Sequence, residues 1–104
     1  MPPNSIAEIQ AHIGNKLDPR LGGRAILTGI IGDRPSLGAK SPVLWNAAYQ
    51  RFSMDAAFVP FDVSADGLAS LMDTLRNTPA YIGGSVTVPH KSLIIDFLDD
   101  VDTK

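Results

Sequence analysis

Residues 25–31 read AILTGII, and this almost unbroken apolar run decides the fold of the chain. An apolar run that does not alternate with polar residues is typical of a strand buried on both faces, as in a parallel sheet. Outward from it, AAFVPFDV at 56–63 and YIGGSVTV at 81–88 predict two further strands. Pro60 cannot donate a hydrogen bond to a neighbouring strand, so we expect the second strand to lie at the edge of the sheet.

Helical patterns precede, separate and follow these strands. Ser5 and Glu8 form a capping box at the start of a first helix. Ser41 and Pro42 have the residue types of an N-cap and a first helical position, and Ser64 is expected to cap the next helix. The apolar positions expected to be buried are Ile6, Ile9, Ile13 and Leu17 in the first helix, Val43, Leu44, Ala47, Ala48 and Phe52 in the second, Leu68, Leu71, Met72 and Leu75 in the third, and Ile94, Phe97, Leu98 and Val101 in a last helix that begins near His90.

Strands and helices therefore alternate along one domain, residues 1–104. Residues 1–24 supply an N-terminal helix and a linker, and residues 25–104 supply three βα units, with 32–40 as a long loop. The fold class predicted is α/β, with three layers around an open, mainly parallel sheet built from βα units.

The composition excludes several classes of function. A net charge of −2 with scattered basic residues argues against a nucleic-acid partner. The absence of cysteine excludes disulfides and thiolate metal sites and favours a reducing cytoplasm. No signal peptide and no apolar run long enough to cross a membrane are found, so we expect a soluble protein without a membrane partner. Two histidines without acidic or cysteine companions at ligand spacing argue against a zinc site.

Ligands of open parallel sheets bind beyond the carboxyl ends of the strands, where this chain carries Ser41, Thr87 and Lys91. A serine before proline more often serves only to start a helix, and threonine is also an ordinary strand residue. Lys91 has the chemistry of a general acid or base, although a solvated surface lysine is the commoner role. Trp45 and Tyr49 would line a pocket or, more commonly, belong to the core. No Gly-x-Gly-x-x-Gly or P-loop occurs, so the chain is not expected to hold a dinucleotide by itself.

Three segments make the chain resemble the N-terminal, substrate-binding domain of the shikimate dehydrogenase family. They are IIGD at 30–33 followed by KSP at 40–42 and NAA at 46–48, AFVPFDV at 57–63, and GSVTVPHK at 84–91. The resemblance implies a part of an enzyme that reduces 3-dehydroshikimate to shikimate with NADPH. It also implies that Lys91 is catalytic and that Ser41, Thr87 and the strand residue Ser85 bind the substrate.

The chain departs from the family pattern at three positions of this region. Ala39 stands where the family usually has a first serine, Trp45 where it has histidine, and Ser85 where it commonly has asparagine. Losing polar contacts shifts specificity, so quinate or another cyclic hydroxy acid remains open as the substrate.

The length of the chain leads to further expectations. The family continues with two more strands and an NADP-binding Rossmann domain, neither of which follows in these 104 residues. We therefore expect the isolated chain to be inactive and to self-associate through its exposed sheet edge. Two alternatives stay open, a non-catalytic module that binds a cyclic hydroxy acid and a plain α/β interaction domain.

Overall fold

The structure is a computed structural model that describes residues 5–87 and 94–97. Its centre is a parallel sheet of three strands, β1 (Ile26–Gly32), β2 (Ala56–Asp62) and β3 (Tyr81–Val86), in the order β2-β1-β3. The helices are α1 (Ser5–Gln10), α2 (Pro35–Gly38), α3 (Ser41–Arg51) and α4 (Leu68–Arg76). Short 3₁₀ turns occupy Pro19–Gly23, Ala65–Gly67 and Ile94–Phe97. The predicted α/β class, the parallel sheet and the edge position of β2 are thus confirmed.

One face of the sheet forms the hydrophobic core with α1 and α4. Successive residues of a strand point to opposite faces, and Leu27 and Ile31 of β1 point to the core. Gly29 lies between them, where a Cβ atom would collide with the ring of Phe61 on β2. Its lack of a side chain lets the Phe61 ring lie across β1, with its edge towards the Tyr81 ring at 5.9 Å. The other buried residues of this face include Ile6, Ile9, Leu17, Val59, Leu68, Leu71 and Leu75.

Helix α3 covers part of the opposite face. The Trp45 ring stacks on Phe58 of β2, and the Tyr49 hydroxyl lies 2.7 Å from the hydroxyl of Thr28 on β1. No residue of α3 is fully buried, and Val43 and Leu44 are 74% and 68% exposed. The expected buried stripe of this helix is therefore wrong. Helical spacing shows which side chains share a face of the helix, but it does not show whether another element covers that face. Within the described part of the chain, none covers Val43 and Leu44.

Two asparagine side chains close the outer edge of β2. The Asn46 amide donates to the Phe58 carbonyl at 2.9 Å, and its oxygen accepts from the Phe58 N–H at 2.7 Å. Asn15 donates to the Pro60 carbonyl and accepts from the Asp62 N–H, both at 2.8 Å. These side chains take the place of a neighbouring strand, and proline is tolerated because its position needs no N–H partner.

The boundaries of several elements differ from those expected. Helix α1 ends at Gln10, whose side chain donates to the Asn15 carbonyl and accepts from the Leu17 N–H, both at 2.7 Å, and thereby stabilises an irregular turn. Leu17 is nevertheless buried, as its spacing predicted. The loop expected at 32–40 contains the short helix α2.

The start of α4 agrees with its prediction, and only a short part of the predicted last helix is described. Ser64 caps the turn before α4 as expected, since its hydroxyl accepts from the Gly67 N–H at 3.2 Å. Of the predicted last helix the structure describes 94–97 as a 3₁₀ turn with Ile94 buried, and the rest lies outside the described residues. The Ser5 side chain of the predicted capping box also lies outside them. Within the described part, no helix is long and apolar enough to cross a membrane.

Candidate functional site

The carboxyl ends of β1 and β3 and the first turn of α3 lie at the same edge of the sheet. Helix α3 carries the chain from the end of β1 back to the start of β2, so its N-terminus lies at the carboxyl edge. Ser41 is the first residue of this helix. The N-cap itself is Lys40, which makes no capping hydrogen bond through its side chain, so the expected N-cap role of Ser41 is wrong. The Ser41 hydroxyl is therefore not used to cap the helix.

Thr87 extends the pairing of β3 by one residue. Its N–H donates to the Ile31 carbonyl at 2.8 Å, which fixes it beside the end of β1. A Cβ atom at Gly32 would collide with the Thr87 methyl group and would lie 3.5 Å from Pro35. The glycine thus leaves the space that Thr87 fills, at the start of the loop that leads to Ser41.

Ser85 lies two residues earlier on β3, opposite Ile30 of β1. It is exposed and lines a cavity of about 330 Å³ together with Trp45 and Tyr49 of α3. Trp45 is 52% exposed. The two aromatic residues therefore line a pocket, although core packing is the commoner role of such a pair. Ser85 and Trp45 line the same cavity. Thr87 lies two residues further along the chain and Ser41 one helical turn before Trp45, so we infer a groove with Ser85 and Thr87 on one wall and Ser41 and Trp45 on the other.

The loop between β1 and α3 is tied down by a carboxylate at the end of β2. Asp62 accepts a hydrogen bond from the Ser36 N–H at 2.9 Å and a second one from the Ser36 hydroxyl. Hydrogen bonds to a charged group are the stronger kind, so they hold the loop against the sheet. The sequence analysis missed this contact. The signal available was a carboxylate at the carboxyl end of a strand facing a serine in the neighbouring loop.

A larger cavity, of about 690 Å³, lies beyond the ends of β1 and β2. Its polar lining includes His12, Asp33, Arg34 and Ser64. None of Ser41, Ser85 and Thr87 lines it. We place the candidate site in the groove rather than in the larger cavity, because Ser41, Ser85 and Thr87 all lie towards the carboxyl edge of the sheet and none of them lines the larger cavity.

The remaining predicted residue, Lys91, lies outside the described residues, so its place relative to the groove stays a prediction. Among the residues that are described, no cluster of histidine, aspartate or glutamate could hold a metal ion. Within residues 5–87 and 94–97, the titratable side chain whose pKa is shifted most is Tyr81 on the core face, where burial raises its pKa to about 12.

An open parallel sheet with polar side chains at its carboxyl edge is the architecture of α/β domains that bind small ligands. The family model described as the shikimate dehydrogenase substrate binding domain matches residues 30–104. The chain therefore belongs to this family.

Relatives and a solved structure agree with the family. The NADP(+) shikimate dehydrogenase of Methanosphaera stadtmanae is 39% identical over 80 residues, 77% of this chain and 28% of that protein. The enzyme of the same name from Geobacter sulfurreducens is 43% identical over 79 residues, 74% of this chain and 26% of that protein. A crystal structure of shikimate dehydrogenase in complex with NADP+ superposes with a TM-score of 0.69 at 28% identity, over 86% of this chain and 29% of that one. The chain thus spans a little over a quarter of the proteins it matches.

Proposed function

We propose that this chain is the substrate-binding part of an NADP-dependent dehydrogenase that interconverts 3-dehydroshikimate and shikimate. The observation that carries the proposal is the groove at the carboxyl edge, in which Thr87 fills the space over Gly32 while Ser41 begins the facing helix. Both hydroxyl groups are free of hydrogen bonds to other side chains within the described part of the chain. The family match covers both residues.

The residues of the groove have separate roles in this proposal. Thr87 and Ser41 bind the ring acid through their hydroxyl groups, and Ser85 adds a third hydroxyl on the same wall as Thr87. Lys91 stands close in sequence to Thr87 and is the proposed catalytic residue. Its ammonium group donates a proton to the carbonyl oxygen of 3-dehydroshikimate as that group becomes the alcohol, and it accepts the proton in the reverse direction.

NADPH would supply the hydride in the complete enzyme. The sequence of this chain contains no dinucleotide motif. We therefore expect the 104-residue chain to bind shikimate but not to oxidise it when NADP is added. The cytoplasmic location expected from the composition also stays a prediction.

Calorimetric titration with shikimate tests the binding role. Thr87→Val keeps the shape of the side chain and removes the hydroxyl, and we expect it to weaken binding about tenfold, the usual cost of one well-placed hydrogen bond. Thr87→Ser keeps the hydroxyl and is the matched control, with an affinity close to that of the parent chain. Lys91→Ala should weaken binding of the carboxylate ligand more than Lys91→Arg. Equal affinities of the two Thr87 variants would refute the role of the hydroxyl.

The two alternatives predict different results in the same experiments. A non-catalytic binding module would show the same dependence on Thr87, and it would remain inactive when joined to the nucleotide-binding part of a relative. A plain interaction domain would show no heat with shikimate or quinate at any concentration. Transfer of hydride to NADP by the 104-residue chain alone would contradict the expectation of an inactive fragment.

A second proposal concerns the partner of the sheet edge: copies of the chain associate through β3. The edge at β2 is closed by Asn15 and Asn46, whereas the outer edge of β3 has no strand beside it within the described residues. Open strand edges promote pairing with another chain. Sedimentation velocity should show dimers that increase with concentration. Ile82→Lys, a charge on the edge strand at a site 69% exposed, should reduce them, and Ile95→Lys should not. A monomer at all concentrations would refute the proposal.

A further inference from the structure

A cavity of about 330 Å³ lies between α3 and β3, one helical turn from Ser41 and two strand residues from Thr87 of the proposed ring-acid site. Trp45 follows Ser41 by one helical turn, about 5–6 Å, and Ser85 precedes Thr87 by two strand residues, about 6–7 Å. Trp45 and Ser85 both line the cavity. A group attached to a ring acid that is held by Ser41 and Thr87 would therefore reach the cavity through a linkage only a few bonds long.

The wall of the cavity is built from aromatic rings. Trp45 lies nearly parallel to Phe58, with ring centres 6.2 Å apart and planes inclined by 14°. Tyr49 lies at 6.1 Å from Trp45 in a tilted arrangement. Phe58 is 6% exposed and Trp45 is 52% exposed, so the inner ring is covered and the outer one still offers aromatic surface. Such a wall favours a flat ring, because aromatic pairs gain energy beyond the area they bury.

The polar groups of the cavity are neutral. The Thr28 hydroxyl donates to the Ala57 carbonyl at 3.3 Å, so the Tyr49 hydroxyl, 2.7 Å away, donates to Thr28 and keeps its own lone pairs free to accept. Within the described residues, neither the Ser85 hydroxyl nor the Trp45 indole N–H has a hydrogen-bond partner. Of the residues that the structure describes, none with a charged side chain lines the cavity. The lining therefore suits an uncharged aromatic ring that carries hydroxyl groups.

We propose that this cavity binds a hydroxylated aryl group attached to the ring acid, and that the substrate class of the site is an aryl ester of a cyclic hydroxy acid. The inference rests on the proposed function, which supplies the ring-acid end of the ligand. The volume of the cavity falls at the lower end of the range of small-ligand pockets, about 300–1,000 Å³, and matches one ring with its linkage better than a protein segment.

The single tryptophan of the chain reports directly on the cavity. The probes are the caffeoyl ester of quinate, quinate, shikimate and free caffeate, each titrated into the 104-residue chain. We expect the ester to quench Trp45 emission and to protect it from acrylamide, whereas quinate does neither. In calorimetry the ester should bind about tenfold more tightly than quinate, the gain expected from one stacked ring.

Two variants assign this gain to the cavity. In Trp45→Ala the ratio of the two affinities should fall from about ten to about one. Phe52→Ala removes another exposed aromatic residue, at the end of α3 and outside the cavity lining, and it should leave the ratio unchanged.

The other outcomes separate this inference from the proposed function. An ester that binds no more tightly than quinate overturns the inference, whether or not shikimate binds. Binding of caffeate with the Trp45 response, but of no ring acid, would support the aromatic cavity and refute the proposed function. Protection of Trp45 that rises with protein concentration and without ligand would show that a second copy occupies the cavity, and it would also overturn the inference.

Discussion

Replacement of Asn46 by alanine tests how the edge of the sheet is stabilised. The side chain forms two hydrogen bonds, at 2.9 and 2.7 Å, with the carbonyl and N–H of a single residue, Phe58. In this way it imitates the peptide group of a neighbouring strand. The alanine variant leaves both backbone groups of Phe58 without a protein partner at the edge of β2.

The expected loss follows from those two bonds. A hydrogen bond contributes about 0.5–1.5 kcal/mol to stability, so two contribute about 1–3 kcal/mol. Because α3 is exposed, water can replace part of this contribution, which favours the lower half of the range. Alanine also has the better helix propensity, which returns about 0.5 kcal/mol. We therefore expect a net loss of about 0.5–1.5 kcal/mol, or a decrease in Tm of about 2–12 °C for a domain of this size.

Urea denaturation followed by circular dichroism measures this loss. The matched control is Gln50→Ala, an exposed position one turn further along α3, which should change stability by less than about 0.5 kcal/mol. Asn15→Ala removes the equivalent bridge from the Pro60 carbonyl to the Asp62 N–H and should cost a similar amount. A loss at Asn46 no larger than that at Gln50 would refute the account of the closed edge.

Three further predictions concern the core, the loop and the pH dependence. Gly29→Ala should destabilise the chain by about 1–3 kcal/mol, because the new methyl group would collide with the Phe61 ring and the backbone of β2. Gly38→Ala is the control, since its methyl group would point into open space. Equal Tm values of the two variants would contradict this reason. Asp62→Asn removes the charge that accepts the hydrogen bonds of Ser36 in the β1–α3 loop, and urea denaturation should show a loss of about 1 kcal/mol. Asp73→Asn on α4 is the control and should cost less. Equal losses would refute the stabilising role of the Asp62–Ser36 contact. Burial raises the pKa of Tyr81 to about 12, so the neutral phenol contributes fully to the free energy of unfolding below pH 10. This contribution, about 2–3 kcal/mol, is lost as the pH rises from 10 to 12. Tyr81→Phe should abolish this part of the pH dependence of stability, and an unchanged profile would show that the phenol does not cause it.

The parts of the fold that the sequence predicted are those with short-range signals. The run at 25–31 identified a buried parallel strand because a strand covered on both faces needs apolar residues at nearly every position. Pro60 identified the edge strand because it cannot donate to a ladder. The expectation that ligands bind at the carboxyl edge came from the parallel alternation of strands and helices rather than from any single residue, and it stays a prediction.

The parts that were missed depend on partners distant in sequence. The hydrogen bonds between Asn46 and Phe58 join residues 12 apart in sequence, and those between Asp62 and Ser36 join residues 26 apart. An asparagine or aspartate by itself does not indicate such a distant partner. The helical spacing in α3 predicted a buried stripe, yet Val43 is 74% exposed. Periodicity shows which side chains share a face but not whether another element covers that face.

The most direct test of the central claim is a shikimate titration followed by amide chemical shifts of the labelled chain. The account predicts that the largest shifts occur at the groove, at Gly32, Ser41 and Thr87, with an affinity that decreases in Thr87→Val. Shifts concentrated instead at His12 and Ser64, in the larger cavity beyond β1 and β2, would show that the ligand site is not the groove and would contradict the account.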